Sequence, residues 1–165
     1  QLVLVRFPKF TRKFASDFGN LTLPPRQVKL APDRFYHLYN RGNNKEPIFL
    51  EQANYRFFLE KFVQYFPADD AEIHAYCLLP NHFHMLIRLK RPLEYSLRMQ
   101  HFSISYAKSL KVGVVGWGMY FKEVQGQASR FTEYLLHLSR YLHLNPVMAR
   151  LVKTPEAWQF SSYRD

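Results

Sequence analysis

An α+β sandwich of the split βαβ, ferredoxin-like kind, with a central antiparallel sheet packed by helices, is the fold class this 165-residue sequence predicts. Three observations carry that prediction. Period-two and helix-period apolar patterns follow one another in the order strand, helix, strand, strand, helix, strand, helix. The two central strands are separated only by Pro80-Asn81, a tight-turn pair that makes them a hairpin. A chain of this length with 47% hydrophobic residues can bury one proper core.

Residues 1–33 stand apart from the rest. Basic and aromatic side chains alternate there without a clean period (Arg6, Phe7, Lys9, Phe10, Arg12, Lys13, Phe14), and Pro24-Pro25 and Pro32 interrupt the segment. It reads as an N-terminal extension lying on the domain or on nucleic acid. The domain itself is expected over residues 34–165. Residues 35–40 favour a strand and end at Arg41-Gly42-Asn43-Asn44, a turn signal. Residues 52–66 place Tyr55, Phe58, Leu59, Phe62 and Tyr65 or Phe66 at three- and four-residue spacing, an amphipathic helix that Pro67 stops. The hairpin strands follow over residues 71–79 and 82–89. Residues 93–111 predict a second helix with Leu97, Ile104 and Leu110 inward, broken by Gly113, Gly116 and Gly118. A short strand is expected over residues 119–124 and a long helix over 132–145, ended by Pro146, which disfavours helical geometry at Asn145.

Composition narrows the function. The net charge of +10 favours a polyanionic partner, and the 11 tyrosines and 15 phenylalanines supply rings on which bases can stack, so a nucleic acid is the natural candidate. Cys77 is the single cysteine, which rules out an intramolecular disulfide and suits a reducing compartment; inside the apolar stretch 75–79 it reads as core packing. No apolar run reaches the ~20 residues of a membrane span. The opening Gln1-Leu2-Val3-Leu4-Val5 is too short for a secretory leader, so a cytoplasmic, nucleoid-associated protein is expected.

The chemistry concentrates at His82-Phe83-His84. Alternate residues of a strand share a face, so both imidazoles can address one divalent cation while Phe83 turns into the core. Zn, Mn, Fe or, with oxygen ligands added, Mg could use such a pair. Two ligands do not complete a site, and the last helix offers a third. There Leu135, Leu138 and Leu142 form an apolar stripe at ~100° per residue, flanked by Tyr134, His137, Tyr141 and Asn145. Four-residue spacing sets the Tyr141 phenol and the Asn145 amide one above the other. His137, one turn earlier, could move a proton or orient the phenol. His143 projects from the opposite side and is excluded; His37, His74 and His101 have no evident partner and read as structural or surface residues.

The stretches LPNHFHML (79–86) and RYLHLNPV (140–147) resemble the two signatures of the REP-associated tyrosine transposases, single-tyrosine members of the HUH endonuclease superfamily. FYHLYNRGN (35–43), EYLLHL (133–138) and WQFSSYR (158–164) resemble further family segments, so the likeness spans residues 34–165. It implies an HUH-type fold with a divalent metal ion, Mg or Mn, held by His82 and His84 and by Asn145 as the polar third ligand. It also implies Tyr141 as nucleophile and single-stranded or hairpin DNA as substrate, cleaved and rejoined through a 5′-phosphotyrosine, in a monomer or homodimer without membrane attachment. Asn40, Arg41, Lys45, Arg88, Lys90 and Arg140 are the expected DNA contacts, with Arg91 and Arg150 nearby. One segment departs from the family pattern. Where relatives carry a basic stretch before the nucleophile helix, this chain has Glu123 and Gln125, which puts DNA affinity in doubt. A domesticated protein that grips structured DNA or RNA with little cleavage is the competing expectation.

Overall fold

The computed structural model describes residues 30–91, 95–109, 120–123 and 131–165. Four strands and three long helices alternate along it: β1 (Arg34–Arg41), α1 (Gln52–Tyr65), β2 (Ala71–Leu79), β3 (His82–Leu89), α2 (Tyr95–Ser109), β4 (Tyr120–Glu123) and α3 (Phe131–Met148). The strands form one sheet in the order β2-β3-β1-β4. Pairing is antiparallel throughout, with Tyr39 opposite His84 and Arg41 opposite His82 across β1 and β3. This is the split βαβ sandwich expected, extended by α3. Residues 1–29 and Gln125 lie outside the described residues.

Alternation along the strands sorts side chains into two cores. Tyr36, Leu38, Phe83, Met85 and Ile87 pack with Phe58, Phe62, Phe102 and Tyr106 of α1 and α2. The rings meet mostly edge-on or tilted, as between Phe58 and Tyr106 at 5.2 Å, the arrangement their quadrupoles favour. Ala75, Cys77, Leu79 and Leu86 point the other way, against Leu138 and Leu142 of α3. Cys77 is buried there, its thiol pushed up to about 12 by desolvation. His82, His84, His37 and Tyr39 share this second face. His82 and His84 therefore sit under α3, with the larger aromatic core behind them.

Two expectations are corrected. Leu97 is 50% exposed; α2 instead turns Met99, Phe102, Ser103, Tyr106 and Ala107 inward, because the Phe102 and Tyr106 rings bury more apolar area than a leucine stripe would. The last helix does not stop at Asn145-Pro146 but continues to Met148. Proline deprives the Leu142 carbonyl of its usual N–H partner, and the Asn145 Nδ2 approaches that carbonyl at 3.4 Å while donating to Tyr141 O at 2.9 Å. The stop comes at Arg150, whose φ of 58° is left-handed. There Leu151 N donates to Pro146 O and Arg150 N to Val147 O, the paired bonds of a Schellman turn.

The C-terminal segment closes the edge of β2. Leu78 N donates to Phe160 O, Ser162 N to Tyr76 O, and Tyr76 N to Ser162 Oγ at 2.8 Å. Trp158 Nε1 reaches Leu78 O at 2.9 Å, and Phe160 stacks on Tyr55 at 3.9 Å. Strand edges left bare invite foreign pairing, and this one is covered. His143 Nε2 lies 2.9 Å from Ser162 Oγ, which ties α3 to the same segment.

Candidate active site

The β2–β3 turn and the loop after β1 are built as one unit. Gly42 N donates to Asn81 O and Lys45 N to Gly42 O. Asn44 and Lys45 both take left-handed conformations to complete this tight loop. A Cβ on Gly42 would lie 2.1 Å from the Glu46 carbonyl oxygen, so only glycine permits the approach. Asn81 spans the junction: its Nδ2 donates to Lys45 O at 3.1 Å, and its Oδ1 stands 2.6 Å from His82 Nδ1. The Lys45 carbonyl can only accept, so the amide nitrogen faces it and the amide oxygen faces the ring. His82 Nδ1 therefore carries the proton, and its Nε2 is bare.

His84 is held from the other side. His37 Nε2 lies 3.0 Å from His84 Nδ1, and the two rings stack at 5.0 Å with 29° between their planes. His82 and His84 are 5.2 Å apart centre to centre, nearly perpendicular. Burial lowers the affinity of both for protons, with Arg41 adding a smaller like-charge effect. His82 falls to about 4, and His84, also facing His37 and His82, falls well below its ordinary value. Both are neutral at pH 7, the state a metal ligand requires.

Tyr141 comes to this pair from α3. Its ring centre is 6.0 Å from that of His84, edge to face. The phenol is half-buried beneath the helix, and desolvation raises its pKa above the usual tyrosine value; the facing Asn145 amide opposes this. The sheet and the helix thus bring together the two elements that the sequence placed 57 residues apart. Asn145 itself is 7% exposed, with its amide nitrogen turned to its own helix carbonyls. His137 is exposed one turn before Tyr141.

Among the described residues no three His, Cys, Asp or Glu side chains converge as a metal site. The donor set on offer is two imidazoles whose outer nitrogens are engaged, together with an amide one turn from Tyr141. Neutral, oriented imidazoles of this kind fit a divalent transition-metal ion, and a harder ion such as Mn where oxygens complete the shell.

The basic residues divide. Arg41 and Lys45 are exposed at the His82 end, and Arg140 is exposed beside Tyr141 on α3. Arg88 and Lys90 are at the opposite end of β3, roughly 20 Å from His82 at ~3.3 Å per residue. There Arg88 pairs with Asp33 at 2.8 Å and Lys90 with Glu72 at 2.7 Å. Asn40 is 2% exposed and turns to the α1–α2 side, its Oδ1 accepting from Arg41 N. Asn40 is thus enclosed on the face of β1 opposite that of His37 and Tyr39. His37 and Asn81 were missed. The alternation Phe35, His37, Tyr39 carried the only sequence signal for His37; nothing local distinguishes Asn81 from an ordinary turn residue.

The architecture has a solved counterpart. A REP-associated tyrosine transposase bound to a REP hairpin superposes with a TM-score of 0.69, covering 86% of this chain and 84% of that one at 18% identity. This chain has the fold of that transposase. No protein-family model and no curated protein matches the sequence. No helix among the described residues is long and apolar enough to cross a membrane.

Proposed function

We propose that this protein nicks and rejoins single-stranded DNA beside hairpins, through a covalent 5′-phosphotyrosine on Tyr141. The observation that carries the reading is the 6.0 Å approach of the Tyr141 ring to His84 on a transposase fold. The Tyr141 oxygen attacks the phosphorus, forming a P–O bond to tyrosine as the P–O3′ bond breaks. The phenolic proton passes to water or to His137, and the departing 3′-oxygen gains one. A second 3′-hydroxyl then reverses the exchange on a new strand, so the bond energy is kept and no nucleotide cofactor is consumed. His82 and His84, with Asn145 as third donor, would hold Mn or Mg, which when bound supplies charge neutralisation at the phosphate oxygens. Arg41, Lys45 and Arg140 form the track for the DNA backbone near the site. All parts lie on one chain, so a monomer suffices, working beside chromosomal DNA in the cytoplasm.

Incubation with end-labelled single-stranded DNA flanking a hairpin, with Mn, tests the reading. A protein–DNA adduct lost in Tyr141→Phe supports it; cleavage that survives in Tyr141→Phe overturns it in favour of a water-using hydrolase. The competing reading, grip without cleavage, draws on Glu123 in β4, an acidic residue in the strand that borders β1. It predicts tight hairpin binding with no adduct.

A further inference from the structure

The metal reading of the site leaves one pairing without a role, that of His37 with His84. His37 is 2% exposed, on β1 diagonally across from His84, with their facing nitrogens 3.0 Å apart. Two neutral imidazoles joined in this way share one proton in one of two arrangements. In the first, His84 donates from Nδ1 to His37 Nε2 and keeps a bare Nε2. In the second, His37 donates from Nε2, and His84 presents an Nε2–H that can touch a phosphate oxygen but cannot ligate a cation.

The proposed metal function selects between them. Asn81 already fixes His82 with Nδ1 protonated and Nε2 bare, through its own bond to Lys45 O. Two bare Nε2 atoms on the same face of β3 can both serve, with a third donor, as ligands to one cation; one bare nitrogen beside one N–H donor cannot. Resting on the proposed metal-dependent function, we infer that His37 is a positioning residue that accepts the His84 Nδ1 proton and so sets the ligating tautomer of His84. It does for His84 what the Asn81 amide does for His82. Metal-binding histidines are commonly oriented by a carboxylate or carbonyl on the outer nitrogen, and losing that partner typically costs about 10–100-fold in metal affinity. Here a buried imidazole takes that place. Tyr39, whose ring lies 5.1 Å from His37 and 6.2 Å from His84, helps confine the pair.

Two measurements test this on the full chain. Long-range ¹H–¹⁵N correlation spectra of the metal-free protein read the tautomers directly and need no variant. His84 protonated on Nδ1 is expected, with His37 Nε2 unprotonated; His84 protonated on Nε2 overturns the inference. Calorimetric titration with Mn then compares variants, with melting temperature checking that each is folded. His37→Leu, which keeps bulk but removes the acceptor, is expected to weaken Mn binding by about 10–100-fold. His37→Gln, whose amide oxygen can accept the same proton, is expected to recover most of it. A folded His37→Leu that binds Mn as tightly as the wild type contradicts the role of His37 and leaves the site reading standing. Failure of both wild type and His82→Asn to bind Mn instead removes the site reading itself.

Discussion

Burial governs protonation at His82 and Tyr141, and this gives two pH predictions. His82 has a folded value of about 4 against an ordinary 6.5, with desolvation the larger cause and Arg41 the smaller. Below pH 6.5 the unfolded chain takes up a proton that the folded chain refuses. Stability from this group is therefore whole above pH 6.5 and is lost as pH falls through about 4. Melting temperatures of the metal-free protein should decline over that window, and His82→Asn should decline less. Tyr141 shifts the other way, so its phenol is protonated throughout the neutral range. Single-turnover cleavage should rise by about tenfold per pH unit from pH 6 to 8; a flat profile means that phenolate formation does not limit the step. At this scale the sequence singled out His82, His84 and Tyr141, which the fold brings together, but not His37. Its partner is chosen by the register of β1 on β3, a long-range pairing that no local pattern contains.

Elements set these residues in place through two local devices. The first is the loop from Gly42 to Glu46, knit to the hairpin turn by Asn81. Gly42→Ala forces a Cβ into the Glu46 carbonyl and should displace Asn81, lowering both melting temperature and Mn affinity. Destabilisation of about 1–3 kcal/mol is the expected scale for strain at such a backbone position. The second device is the end of α3, where Arg150 occupies the left-handed position. Arg150→Gly should raise stability by up to about 1 kcal/mol, measured by denaturant unfolding, without changing cleavage. The elements themselves were legible because their apolar periods are clean. The end of α3 was not, since Pro146 reads as a terminator until the Asn145 side chain is seen to approach the carbonyl that the proline leaves without its N–H. The inward face of α2 was also misread, because a leucine at the right spacing lost to Phe102 and Tyr106 at an adjacent angle.

Among the described residues, the positive charge is not evenly available. Arg88 and Lys90 are neutralised by Asp33 and Glu72, whereas Arg41 stands open beside His82. Arg41→Ala should reduce the dependence of log affinity on log salt for a hairpin substrate by about 1, and Arg88→Ala should leave it unchanged. The same geometry places Tyr141, the proposed nucleophile, and His82 and His84, the proposed metal ligands, on one chain. Mixing Tyr141→Phe with His84→Ala should therefore restore no cleavage, whereas a dimer sharing its sites in trans would recover it.

The central claim is that the hairpin imidazoles and the Tyr141 phenol act on one phosphate. Mass spectrometry of tryptic peptides, after trapping the protein on single-stranded DNA with Mn, tests it most directly. The account predicts a nucleotide 5′-phosphate attached to Tyr141, absent when His82 and His84 are both replaced by Ala. An unmodified Tyr141 in protein that has cleaved its DNA would contradict it.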